Sequence, residues 1–357
     1  MSGSPRISCV LAVWNGEAHL AGALRSILGQ TFQDFELIIV DDGSTDGTVE
    51  ILRRFQREDR RIRLHDQPHA GLVAALNFGI SLATGEYIAR MDADDLCAPE
   101  RFEKQVQYLD THPVVGICGT WIETFGQGSN EVIRYPSDDG AIRCQLLFSS
   151  ALAHPSTMLR RSVLMRHGLQ YDERAVNAED YDLWVRASEH TRFANVPAVL
   201  LRYRVHPQQV GRRCAEKMEV SSQDIRLTQL ARLGVSPTPE ERQLHQDLSR
   251  WRFESSAAFL RSTREWLGKL VAANASARLY GDAELLAVLG QRWSEVCLLA
   301  TQEGVQTLIA FWCAPRLALS VLSLWQHTKF VMKCLFRKDP HTQFVRMSRA
   351  TDSIGPH

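Results

Sequence analysis

The sequence predicts an α/β fold, a mostly parallel sheet with flanking helices, continued by an α-helical C-terminal region. Strand-length apolar runs alternate with helix-period segments through the first 200 residues, and acid-rich turns follow two of those runs. From about residue 216 Gly and Pro become sparse and apolar residues keep a helical rhythm. A chain of 357 residues allows roughly two domains, taken here as 1–210 and 211–357. The 41 Lys and Arg balance 41 Asp and Glu, so no basic excess points to nucleic acid. A hydrophobic content of 45% excludes global disorder.

Ile7 to Val13 is a continuous apolar run, broken at Asn15-Gly16 and followed by Leu20, Leu24, Ile27 and Leu28 at helical spacing. Leu37 to Val40 repeats the pattern, with DDGSTDG as its turn and Val49, Leu52 and Phe55 marking the next helix. A third unit runs from Ile62-Arg63-Leu64 into a helix carrying Leu72, Leu76, Gly79, Ile80 and Ala83. The fourth strand, Tyr87-Ile88-Ala89, ends in MDADD, and Pro99 then suits the first position of a helix bearing Phe102, Val106 and Leu109. Strands buried on both faces and joined by crossover helices make a mostly parallel sheet. Ligands of such sheets bind beyond the carboxyl ends of the strands.

Those ends carry acids: Asp41-Asp42 after the second strand, and Asp92, Asp94 and Asp95 after the fourth. Carboxylates there lose hydration unless a divalent cation or ligand donors compensate them. The bland alternative is that DDGSTDG is a solvated turn and helix cap, since Asp, Gly, Ser and Thr form turns by themselves. A third acidic cluster, Glu179-Asp180-Tyr181-Asp182, reads equally as acids favouring a helix N-terminus.

The segments ISCVLAVWNGEAHLAGALRSILGQTFQDFELIIVDDGSTDGT, AGLVAALNFGISLATGEYIARMDADD, HPSTMLRRSVL and AEDYDLWVRA closely resemble the family 2 glycosyltransferases of the GT-A fold, over residues 5 to 210. Ala12 stands where that family commonly has Pro, and Trp14 where it has Tyr, both in the first nucleotide-binding turn. The resemblance implies sugar transfer, with inversion, from a nucleotide sugar to a hydroxyl of a saccharide acceptor in surface polysaccharide assembly. It assigns Asp41 and Asp42 to the base and ribose of a uridine nucleotide, and Gly71 and Asn77 to the same cleft. Helix packing accounts for these last two equally well. Asp94 would hold a divalent metal, Mn²⁺ or Mg²⁺, with Asp92 nearer the ribose or the metal's water shell and His206 as a further ligand. Asp180 is the expected general base, with Glu179 orienting the site, because an inverting displacement needs a proton acceptor on the acceptor side. His154 is a candidate wall of the acceptor cleft, and Arg202 and Arg204 are candidate phosphate contacts or a solvated strand face.

Thr238-Pro239-Glu240-Glu241 reads as a helix start, and Leu244, Leu248, Trp251 and Ala258 carry the rhythm onward. Residues 307–325 are the most apolar stretch, but Pro315 and Arg316 interrupt it, which disfavours a membrane span. Six Lys or Arg and one acid lie between 329 and 350, the pattern of a peripheral contact with an anionic membrane or of a solvated helix face. Such attachment would suit a lipid-linked acceptor. The opening residues lack a signal-peptide pattern and the cysteines lack metal or redox spacing, so a cytosolic protein with reduced thiols is expected, peripheral on the inner membrane face if attached. The rival functions are a sugar nucleotidyltransferase, whose Gly-rich loop is missing; a processive synthase, for which Gln291-Arg292-Trp293 lacks the spacing; and a non-catalytic saccharide-binding domain.

Overall fold

A computed structural model describes residues 4–128, 130–206, 215–314, 317 and 324–336. They divide into two compact units, one formed by residues up to Ile142 with Ser150–Ser222, the other by Arg143–Ser149 with residues from Gln223 onward. The divisions fall inside two helices, Asp139–Gln145 and Ala215–Arg232, and a short early segment belongs to the later unit.

In the first unit the elements run β1 (Ile7–Val13), α1 (Leu20–Leu28), β2 (Phe35–Asp41), α2 (Thr48–Glu58), β3 (Ile62–Asp66), α3 (Leu72–Leu82), β4 (Tyr87–Met91), β5 (Leu96–Cys97), α4 (Arg101–Thr111), β6 (Val115–Gly126), β7 (Val132–Ile133), α5 (Asp139–Gln145), β8 (Met158–Arg160), α6 (Arg161–His167), α7 (Glu179–Ala187) and β9 (Arg192–Val205). The sheet order is β3-β2-β1-β4-β8-β6-β9-β5, with β7 on β6. Strands β3, β2, β1 and β4 are parallel, as are β6 and β9, whereas β8 and β5 pair antiparallel. Every residue of β1 and β2 is buried, as strands covered on both faces require. Helix α1 buries Leu20, Ala23, Leu24 and Ile27, and α3 packs so closely that a Cβ on Gly79 would stand 2.6 Å from Val10.

One local expectation fails. Pro99 lies in a turn, and α4 begins at Arg101, because Leu96-Cys97 first pairs with β9 and delays the helix. Leu72 is exposed, for it occupies the first turn of α3, before the Ala75, Leu76, Gly79 and Ile80 face that meets the sheet.

The second unit contains α9 (Pro239–Ser249), α10 (Ala257–Ala277), α11 (Asp282–Leu299), α12 (Val305–Trp312) and α13 (Leu324–Phe336), preceded by α8 (Ala215–Arg232), which carries the second division. Thr238 and Glu241 form the expected reciprocal capping box. Trp251 is not helical: it takes a left-handed φ of 53° after α9 ends. The core gathers Trp266, Trp293, Leu289 and Phe311, with Leu147 and Phe148 of the early segment among them. That segment is held by Arg292, 3.7 Å above the Phe148 ring, and by His245, whose Nδ1 accepts from Trp266 Nε1 (3.2 Å) while Nε2 faces Leu147 O (3.0 Å). Burial, helped by nearby Arg226, lowers the His245 pKa to about 3, so the ring is neutral and Nε2–H donates. Arg292 and Trp293 are therefore core residues. No helix among the described residues is long and apolar enough to cross a membrane. Pro315, Arg316 and the basic residues from 337 onward lie outside the described residues.

Candidate active site

The carboxyl ends of β1, β2 and β4 share one edge of the sheet. The chain builds outward from β1 through β2 to β3, then returns through α3 to β4 on the other side of β1, so a crevice opens where the order reverses.

Asp41 ends β2 beside Val13, and its carboxylate accepts from the Ser44 N–H at 3.4 Å. Asp42 is employed differently. Its carboxylate accepts from Gln67 Nε2 (2.6 Å), Ala70 N–H (2.8 Å), Gly71 N–H (2.9 Å) and His69 Nδ1 (2.8 Å). Burial opposes ionisation, but these donors outweigh it and hold the Asp42 pKa below its ordinary value. Asp42 thus organises the 67–71 loop. Gly71 needs to be glycine, since its φ of 94° caps α3 and aims its N–H at Asp42. The His69 ring stacks on Trp14, with centroids 4.5 Å apart, and leaves the indole half exposed. Ala12 is buried within β1 opposite Val40.

Asn77, expected to line the same cleft or to serve packing, holds a backbone position. Its Nδ2 donates to Tyr171 O (2.9 Å) and its Oδ1 accepts from Tyr171 N–H (3.0 Å), so the amide is spent on fixing one backbone position.

Carboxylate oxygens of Asp92, Asp94 and Asp95 lie within 4.8 Å of one another. Pairing of β5 with β9 brings the end of β9 to this loop. There Arg204 donates its backbone N–H to Asp95 Oδ1 (2.7 Å) and its Nε to Asp94 O (2.8 Å), and His206 Nε2 meets Asp94 Oδ2 (3.0 Å). Arg204 thereby braces the acidic loop, while Arg202 pairs with Glu123. Burial and then the neighbouring carboxylates push the Asp95 pKa well up, and Asp95 Oδ2 is buried without a hydrogen-bond partner among the described residues. Crowded carboxylate oxygens of this kind could serve as donors to a hard divalent cation.

Glu179 and Asp180 open α7 and are both buried. Asp180 Oδ2 accepts from Ser150 Oγ at 3.3 Å. Burial raises its pKa to about 6, against the opposing Tyr181 N–H, Ser150 and Arg90. Burial and adjacent Asp180 raise Glu179 to about 7. Asp182 is ion-paired with Arg186 at 2.6 Å.

Sequence reasoning passed over Arg90 and Tyr171. Arg90 is buried in β4, ion-paired with Asp92, and its charge is felt by Glu179, Asp180 and His154. An arginine inside the apolar strand YIARM was the available signal. Tyr171 Oη meets His154 Nε2 at 2.7 Å, and the His154 ring stands edge-on to Trp184. Burial, then Arg90, drives the His154 pKa well down, so that imidazole is neutral.

A switch-point crevice with an acid-lined nucleotide edge is the hallmark of GT-A glycosyltransferases, and this is the fold of the first unit. The chain belongs to glycosyl transferase family 2, whose model matches residues 8–168. It is 30% identical over 226 residues to the O-antigen biosynthesis glycosyltransferase WbnJ of Escherichia coli, spanning 62% of this chain and 87% of that one. It is 34% identical over 195 residues to the putative glycosyltransferase EpsE of Bacillus subtilis, spanning 53% and 69%. Among solved structures it resembles S. aureus TarS 1-349 in complex with UDP, at TM-score 0.53 and 15% identity, over 88% of this chain and 89% of that one. The mannosyltransferase PcManGT from Pyrobaculum calidifontis, in complex with GDP-Man and Mn²⁺, aligns at TM-score 0.51 and 18% identity, over 94% and 87%.

Proposed function

We propose that this glycosyltransferase moves a sugar, with inversion, from a uridine diphosphate sugar to a hydroxyl of a saccharide acceptor in surface polysaccharide assembly. The observation that carries the proposal is the buried Arg90, ion-paired with the acidic triplet through Asp92 and electrostatically linked to Glu179 and Asp180, which draws both clusters into one crevice. WbnJ, named for O-antigen biosynthesis, supports the saccharide class.

In this reading Trp14 offers a stacking face for the base and Asp41 accepts from its N–H, while Asp42 shapes the loop beside it. Asp94 would hold a divalent cation, Mn²⁺ or Mg²⁺, with Asp92, Asp95 and His206 around it. Such an ion supplies charge compensation for the leaving diphosphate. Asp180 takes the proton of the attacking hydroxyl on the face opposite the diphosphate, and a value of about 6 leaves it mostly ionised at neutral pH. Glu179, at about 7, is partly protonated there and orients the acceptor. Arg90 lets these carboxylates be buried together, and Asn77 fixes Tyr171, which fixes neutral His154 as one wall.

The test is release of nucleoside diphosphate from a panel of UDP- and GDP-sugars, with Mn²⁺, Mg²⁺ or chelator, with wild type and Asp94→Asn. Metal-dependent UDP release that the substitution abolishes supports the reading; GDP release alone overturns the uridine assignment, and no release from any donor overturns catalysis.

A further inference from the structure

Helix α12 leaves Val305, Ile309 and Trp312 exposed, one stripe at spacings of four and three residues. Helix α13 leaves Met332, Leu335 and Phe336 exposed in the same manner. The two helices touch: Phe311 packs on Phe330 with centroids 4.7 Å apart, and the exposed Trp312 indole stacks on His327 at 5.8 Å, joining one stripe to the neighbouring helix. Six large apolar side chains therefore meet solvent on adjacent helices, whereas apolar surface of that extent normally marks a contact site.

Charge decides between occupants. From Gly304 to Lys338 the sequence contains no Asp or Glu but has Arg316, Lys329, Lys333, Arg337 and Lys338, in a chain whose 41 Lys and Arg equal its 41 Asp and Glu overall. Lys329 and Lys333 stand one turn apart on α13, on the helix that carries the second stripe. A second copy of the chain would bring like charge against like. An anionic bilayer supplies both an apolar layer for Trp312, Ile309 and Phe336 and negative headgroups for the lysines.

We propose that the exposed faces of α12 and α13 form an interfacial surface that binds anionic phospholipid bilayers peripherally. The surface lies in the helical unit and does not depend on the transferase reading.

The experiment is flotation of the full-length protein with vesicles of phosphatidylcholine alone and with phosphatidylglycerol added, at low and high salt. Binding is expected to the anionic vesicles and to weaken with salt. Ile309→Ser/Leu335→Ser/Phe336→Ser removes side chains that are more than half exposed, so the fold persists, and should lower partitioning about tenfold or more. Lys329→Gln/Lys333→Gln should lower it by a similar factor on anionic vesicles only. UDP-dependent thermal protection, reporting the donor site, should stay unchanged in both variants. Failure of wild type to float, equal flotation of wild type and apolar variant, or a dimer in light scattering that the apolar variant converts to monomer would each overturn the proposal.

Discussion

Replacing Asp180 by Asn keeps its size but removes its capacity to take a proton, and the burial that tunes it makes two consequences calculable. Proton-transfer catalysis contributes about 10² to 10⁴ in rate, so transfer should fall by that factor while UDP-sugar affinity changes little. The second consequence concerns stability. Burial raises Asp180 from 3.8 to about 6, which corresponds to about 3 kcal/mol charged to the folded state on ionisation. The cost is absent below about pH 3.8, grows as the group ionises, and is complete above about pH 6. The Asn variant should therefore unfold at higher denaturant than wild type at pH 8, and the difference should shrink through pH 4 and nearly vanish at pH 3. Wild-type transfer should fall about tenfold from pH 7 to pH 5 as Asp180 protonates, as part of a pair with Glu179. The assays are coupled detection of released UDP with an acceptor, calorimetric UDP titration, and denaturant melts across pH. Near wild-type turnover in Asp180→Asn, or joint loss of donor binding and turnover, refutes the base assignment and passes it to Glu179.

Three further outcomes follow from the same geometry. Asp94→Asn should abolish metal-stimulated transfer and the metal-dependent part of UDP affinity, read by titration with and without chelator; unchanged affinity in both would remove Asp94 from the metal site. Asn77→Ala breaks two hydrogen bonds to Tyr171 and should cost about 2 kcal/mol of stability, seen in denaturant melts, with UDP affinity kept. A loss of UDP affinity at unchanged stability would instead return Asn77 to the nucleotide. Asp42→Asn should loosen the 67–71 loop, so amide exchange at Ala70 and Gly71 accelerates and UDP binding weakens; unaltered exchange would contradict the organising role of Asp42.

Burial by local periodicity was legible in the sequence. The runs at Ile7–Val13 and around Leu37–Val40 became strands buried along their whole length, and the acids after them reached the switch-point edge, because a parallel strand flanked by helices must be apolar and its end must not be. The Thr238 cap and the helical rhythm beyond residue 216 are equally local. Partnership was not legible. Asp41 and Asp42 are adjacent identical acids, yet only the fold turns four donors of a loop 25 to 29 residues away onto Asp42. Asp94 meets His206 across 112 positions because β5 pairs with β9, and Arg90, besides pairing with Asp92 two residues on, feels the charge of Glu179 on α7. Residues 143–149 look like ordinary α/β chain but pack in the helical core, where Arg292 and His245 hold them. A side chain's periodicity is set by its neighbours in sequence, whereas its hydrogen bonds and charge are set by whichever groups tertiary packing delivers, and that competition is settled only in the folded chain.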